Sequence, residues 1–155
     1  MDYCDTLLRV LPRSAAVIIL ARMGIAAESS VKPRIAVVDD DDDSREAVAV
    51  LVKSLGFAVE TFTCGDDFLA WPSLRQTSCL IADVNMPGMS GVELHARLAM
   101  VGFAIPTILI TAYPDDAVRD RAIADGVIAY LAKPCSDVVL LDLVRSALTA
   151  VDGAS

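Results

Sequence analysis

The stretch that decides the fold is "RIAVVDDDDDSREAV", residues 34 to 48. Five aspartates, Asp39 to Asp43, follow directly on an apolar run rich in β-branched residues. A block of like charges on its own is the mark of a solvated tail. A tail has no use for the strand-like residues before it or for the helical pattern after it. "REAVAVLVKSLG" places Val48, Leu51, Val52 and Leu55 at i, i+3, i+4 and i+7, with Gly56 at the stop, which predicts an amphipathic helix. The run therefore spans a strand-to-helix turn and divides in two. Asp39 and Asp40 end the strand. Asp41, Asp42 and Asp43 begin the helix, where acids favour the positive end of the dipole and can cap. Arg45 and Glu46 read as surface positions of that helix.

Beyond this turn the alternation continues. "FAVETF" (57–62) is a more polar strand, fit for a sheet edge, and "GDDFLAW" is a short helix stopped by Pro72 and packed at its end by Trp71. "CLIAD" (79–83) is a third strand. "SGVELHARLAMVG" opens with Ser90 and Glu93 at capping-box spacing and has Leu94, Leu98 and Val101 as its inner stripe. "IPTILIT" (105–111) is a fourth strand, "DDAVRDRAIADG" a helix with a weaker stripe, "VIAYLA" (127–132) a fifth strand. "SDVVLLDLVRSALTAV" is the last helix, with Leu140, Leu143, Val144 and Ala147 inward. Strands one, three, four and five read as continuous apolar runs, as expected when helices cover both faces of the sheet. The pattern predicts an α/β fold, a doubly wound parallel sheet of five strands. Its expected limits are residues 34–150, after an N-terminal extension at 1–33 that is helical or poorly ordered and before a short tail at 151–155. No second domain is expected.

The totals narrow the function. A net charge of −8, with no Lys and Arg cluster, argues against a nucleic-acid surface and is compatible with a divalent cation. The apolar run "SAAVIILA" (14–21) is too short to span a bilayer, which needs about 20 apolar residues. Asp2, Asp5 and Arg22 fit a signal peptide poorly, and Met23 offers an alternative start. The four cysteines, Cys4, Cys64, Cys79 and Cys135, lack zinc spacing and read as reduced thiols of a cytoplasmic protein.

Ligands of an open parallel sheet bind beyond the carboxyl ends of its strands. Asp39 and Asp40 follow strand one, Asp83 ends strand three, Thr111 ends strand four and Lys133 follows strand five. Three carboxylates, a hydroxyl and an ammonium thus meet on one rim. Three carboxylates in one site repel and raise one another's pKa, and a hard cation such as Mg²⁺, with its preference for oxygen ligands, removes the conflict. Positions left open on the cation suit phosphate oxygens, with Lys133 as a point charge and Thr111 as a hydrogen-bond donor.

Residues 34 to about 150 resemble the response-regulator receiver domain of two-component signalling, of the stand-alone type. The resemblance rests on "VVDD" after strand one, "DVNMPGMSG" after strand three, "ITA" ending strand four and "KP" after strand five, all in order. It implies a flavodoxin-like strand order 2-1-3-4-5. It implies that Asp83 is the phosphoacceptor, that Asp39, Asp40 and Asp83 with the backbone carbonyl of Asn85 hold Mg²⁺, and that Lys133 binds the phosphoryl group. Thr111 and Tyr130 become the switch pair, and the Lys133–Pro134 bond is expected to be cis. The implied donor is a histidine kinase or a histidine phosphotransfer protein. The implied reader is a downstream protein that recognises the fourth helix, fifth strand and fifth helix, with a phosphorylation-dependent homodimer as one form of the response. The chemistry would be self-modification of Asp83 and its reversal, with no direct contact to nucleic acid or membrane.

Two other readings compete. One is a receiver-like interaction module that takes no phosphate. The other is a haloacid-dehalogenase-like phosphatase with Asp39 as nucleophile and Asp41 as general acid, which leaves Asp83 and its loop without a role. His95 reads as an exposed helix residue, and Met86 and Met89 as loop packing. Cys135 stands where the family often has an aromatic residue, a departure that would loosen the start of the last helix.

Overall fold

Parallel strands need crossovers, and in this chain each crossover carries a helix. The computed structural model describes residues 32–152. Strand β1 (Arg34–Val38) leads to α1 (Asp42–Lys53), β2 (Ala58–Phe62), α2 (Gly65–Leu69) and a 3₁₀ turn at Leu74–Gln76. Then come β3 (Thr77–Asp83), α3 (Gly91–Met100), β4 (Thr107–Thr111), α4 (Asp116–Ala124), β5 (Ala129–Ala132) and α5 (Asp137–Asp152). The strands are parallel in the order β2-β1-β3-β4-β5, as the resemblance implied. The expectations for residues 1–31 and 153–155 lie outside the described residues.

Alternate residues of each strand point to opposite faces, so the sheet has two cores. Ala36, Val38, Leu80, Ala82 and Leu109 pack with Phe68, Leu94, Leu98 and Ala122 on one face. Ile35, Val37, Cys79, Ile81, Ile108 and Ile110 pack with Val52, Leu140, Val144 and Ala147 on the other. Burial pushes the Cys79 thiol up to about 12, so this cysteine acts as a small apolar residue. Cys64 and Cys135 are also free thiols.

Several local expectations change. Val101 is 63% exposed rather than part of the α3 stripe, because the helix proper ends at Met100. β3 starts at Thr77, two residues early, with a register irregularity where it passes Arg34 and Ile35 of β1. β5 is only half-buried, because it is an edge strand with one neighbour, so its apolar run is not covered as those of β1, β3 and β4 are. Trp71 packs edge-on against Phe62 at 5.3 Å and takes the Arg34 guanidinium over its ring at 5.4 Å. Met86 and Met89 are buried in the first core.

Candidate functional site

The switch point of the strand order lies between β1 and β3, so the ends of those two strands open onto one crevice. Val38 pairs with Ala82, which puts the next residues, Asp39 and Asp83, side by side. Both are nearly enclosed, at 4% and 8% exposure, whereas Asp40 is exposed. One carboxylate oxygen from each of Asp39, Asp40 and Asp83 lies within 4.8 Å of the others. Lys133 arrives from the end of β5, where its main-chain N–H donates to the Thr111 carbonyl at 2.7 Å. Its Nζ lies 2.9 Å from Asp39 Oδ2 and 3.4 Å from Asp83 Oδ2.

The two buried carboxylates do not titrate alike. Burial drives Asp39 up, but the Lys133 hydrogen bond and the Asp41 N–H, 2.9 Å from Oδ1, outweigh it and hold the group below the usual aspartate value. Asp83 is held above it, first by burial and then by the facing charge of Asp39, with Lys133 offsetting only part. Burial would lower the Lys133 ammonium, but Asp39 and Asp83 together raise it. Two buried anions facing one ammonium leave the crevice short of positive charge. A carboxylate-only donor set open to solvent at Asp40 suits a hard cation rather than a thiophilic one.

The loop after β3 is shaped by glycines. Gly88 has φ +80°, a conformation side chains rarely adopt. At Gly91 a Cβ would stand 2.4 Å from the Asp83 carbonyl oxygen, so only glycine lets α3 start this close to the end of β3. Ser90 and Glu93 form the expected capping box, with Glu93 N–H donating to Ser90 Oγ at 3.1 Å and Ser90 N–H donating to Glu93 Oε2 at 3.3 Å.

Thr111 is fully buried, and its Oγ1 accepts from Asn85 Nδ2 at 2.7 Å and from Tyr113 N–H at 3.0 Å. Tyr130 is half-buried against the first core and its hydroxyl accepts the Asp115 N–H at 3.1 Å. The Lys133–Pro134 peptide is cis. Cys135 packs, partly buried, against the second core, and α5 begins two residues later at Asp137.

Three corrections concern polar residues. Asp41 is the N-cap position of α1 but makes no side-chain capping bond; its N–H is taken by Asp39 Oδ1 instead. Arg45 is half-buried rather than a free surface residue. Its guanidinium donates to the Asp39 carbonyl at 2.9 Å and pairs with Asp42, with only 16% of its side chain exposed. The signal for this was a lone arginine one turn beyond five acids. His95 is half-buried: Nδ1 meets Thr107 Oγ1 at 3.1 Å and Nε2 meets the Asp125 carbonyl at 3.2 Å, which ties α3 to the turn before β5.

The family model of the response regulator receiver domain matches residues 35–145. Nodulation protein W of Bradyrhizobium diazoefficiens is 37% identical over 120 residues, which cover 77% of this chain and 53% of the relative. Response regulator protein TmoT of Ectopseudomonas mendocina is 39% identical over 112 residues, 72% of this chain and 51% of the relative. The chain thus spans about half the length of the curated relatives it matches. A receiver protein from Burkholderia phymatum superposes with a TM-score of 0.66 at 46% identity, over 76% of this chain and 96% of that one. The FixJ-N crystal structure superposes with a TM-score of 0.69 at 32% identity, over 76% and 94%. Among the described residues no helix is long and apolar enough to cross a membrane. With the five-stranded order and the acidic crevice, these matches establish that the chain belongs to the response regulator receiver domain family.

Proposed function

We propose that this domain takes a phosphoryl group onto Asp83 from a phosphohistidine of a histidine kinase or a histidine phosphotransfer protein. The observation that carries the reading is the placement of Asp83: it ends a central strand, beside Asp39 and Asp40 and 3.4 Å from the Lys133 ammonium. In the transfer an Asp83 carboxylate oxygen forms a bond to phosphorus as the phosphorus–nitrogen bond breaks, and the donor imidazole leaves with that electron pair. Lys133 neutralises charge on the phosphoryl oxygens, so the protein chiefly positions and stabilises. Asp39, Asp40, Asp83 and the Asn85 carbonyl would hold Mg²⁺, which when bound supplies further positive charge to those oxygens. The raised Asp83 carboxyl is in keeping with this: burial first, and then the facing charge of Asp39, disfavours its anion, and Lys133 offsets only part.

The phosphoryl group puts about −1.5 to −2 charge at a buried strand end in place of the carboxylate's single negative charge. Thr111 follows Ile110, the partner of Asp83 on the next strand, and its movement would open space beside the half-buried Tyr130. The reader is a protein that binds α4, β5 and α5, where Ile123, Ile128, Val138 and Val139 are exposed. A homodimer formed through that face is one such reader. The domain acts on itself rather than turning over a separate substrate. The test is to label the protein with acetyl phosphate and Mg²⁺ and map the acid-labile phosphate. Label on Asp83 is expected; label on Asp39, as a phosphatase nucleophile would show, or no label at all, overturns the reading.

A further inference from the structure

Asn85 is tied into the site at both ends. Its main-chain N–H donates to Asp83 Oδ1 at 3.3 Å, and its side-chain amide donates to Thr111 Oγ1 at 2.7 Å. Thr111 Oγ1 also accepts the Tyr113 N–H at 3.0 Å, so both lone pairs of the hydroxyl are in use. With both partners in place the side chain is fully enclosed. Among the described residues Thr111 makes no hydrogen bond to Asp83, whose partners are the Asn85 N–H and Lys133. A Thr111 side chain that moves toward a phosphoryl group on Asp83 gives up this arrangement. The movement breaks the Asn85 bond and frees the Tyr113 N–H at the start of the loop into α4.

We propose that the Asn85 side chain is a positioning residue that holds the Thr111 hydroxyl in its resting arrangement, so that occupation of Asp83 by a phosphoryl group proceeds against the Asn85–Thr111 hydrogen bond. The inference rests on the phosphoacceptor reading of Asp83 and adds a regulatory role that main-chain metal ligation does not require. Asn85 is itself exposed, so its amide can be removed without emptying the core. Its carbonyl would serve the cation, while its amide sets how readily the next strand responds. One residue thereby links the acceptor to the strand that carries the switch hydroxyl.

The test is beryllofluoride binding to the full chain at saturating Mg²⁺, read by ¹⁹F NMR of the bound fluoride, for the wild type, Asn85→Ala, Thr111→Ala and the double variant. Asn85→Ala is expected to tighten binding by about 2- to 10-fold, the range of one ordinary hydrogen bond. In the Thr111→Ala background the same change is expected to have no effect, because the partner is gone. Unchanged or weaker binding in Asn85→Ala overturns the proposal, as does a tightening that persists without Thr111. A wild type that binds no beryllofluoride overturns both this inference and the phosphoacceptor reading. A wild type that binds it while Asn85→Ala shows no gain overturns this inference alone.

Discussion

Asp39 and Asp83 end neighbouring strands, are almost equally enclosed and face the same lysine, yet their surroundings push them in opposite directions. The difference lies in what each oxygen touches. Asp39 has one oxygen on the Lys133 ammonium and the other on the Asp41 N–H, both at 2.9 Å. Asp83 has longer contacts, 3.4 Å to Lys133 and 3.3 Å to the Asn85 N–H, and it faces the settled charge of Asp39. Burial makes a carboxylate costly, and only well-formed partners offset that cost. Asp39 is thus a satisfied anion and Asp83 an unsatisfied one. The group left short of partners is the one with most to gain from an incoming cation.

The harshest way to break this comparison is to remove the unsatisfied member. Asp83→Asn is expected to abolish labelling by acetyl phosphate, whereas Asp39→Asn should slow it without moving the label; phosphopeptide mapping distinguishes the two. Removing the shared partner comes next. Lys133→Ala is expected to slow labelling about 100-fold, in the range seen for loss of one charge-stabilising donor, while circular dichroism stays native. Unchanged labelling would show that the ammonium serves only the resting protein.

Stability without metal sharpens the contrast, because the two carboxylates should act with opposite signs. Asp83→Asn removes an anion held in its less favoured form and is expected to raise the melting temperature by about 3–6 °C, as for roughly 1 kcal/mol in a domain of this size. Asp39→Asn removes the 2.9 Å partner of Lys133 and is expected to lower it. The pH dependence follows the same division. Asp83 is raised in the folded state, so from the ordinary value of 3.8 up to its own pKa the folded protein holds a proton that the unfolded chain has released, and stability falls as pH rises through that window. Asp39 is lowered, so its contribution is present above 3.8 and is lost as pH falls through its depressed value. Chelator-treated protein melted across pH should therefore lose the upper feature in Asp83→Asn and the lower one in Asp39→Asn. The smallest effect belongs to the far end of the acidic run. Asp43→Asn is expected to cost about 0.3–1 kcal/mol in urea melts at low salt, through the helix dipole alone, and to leave Mg²⁺ affinity where it was.

The strand ends were legible in the sequence because apolar runs fix where strands stop, and a parallel sheet gathers those stops on one rim. That is enough to bring Asp39, Asp40, Asp83, Thr111 and Lys133 together from the sequence alone. Which of them pair was not legible. Lys133 is 94 residues from Asp39, and its preference for that acid over Asp83 depends on fractions of an ångström in how β5 enters the rim. The same applies to Asn85 and Thr111, 26 residues apart, and to His95, whose partners lie 12 and 30 residues away. Arg45 was misread for a different reason. Its helix periodicity suggests a surface position, and nothing in that periodicity points to the strand-end carbonyl of Asp39 that its guanidinium reaches. β5 showed the limit of hydropathy, since an edge strand and a central strand can have the same apolar composition.

The contact at Gly91 has a mechanical meaning. On the α3 side, the acceptor strand stands backbone to backbone against the helix start, and the Gly91 N–H is bonded to the Val84 carbonyl at 3.2 Å. There is no slack there to absorb a recoil. At the end of β4, Thr111 leads into Ala112, Tyr113, Pro114 and Asp115, all exposed. Asp83 thus lies between close-packed main chain at the start of α3 and a neighbouring strand whose end opens into solvent-exposed loop.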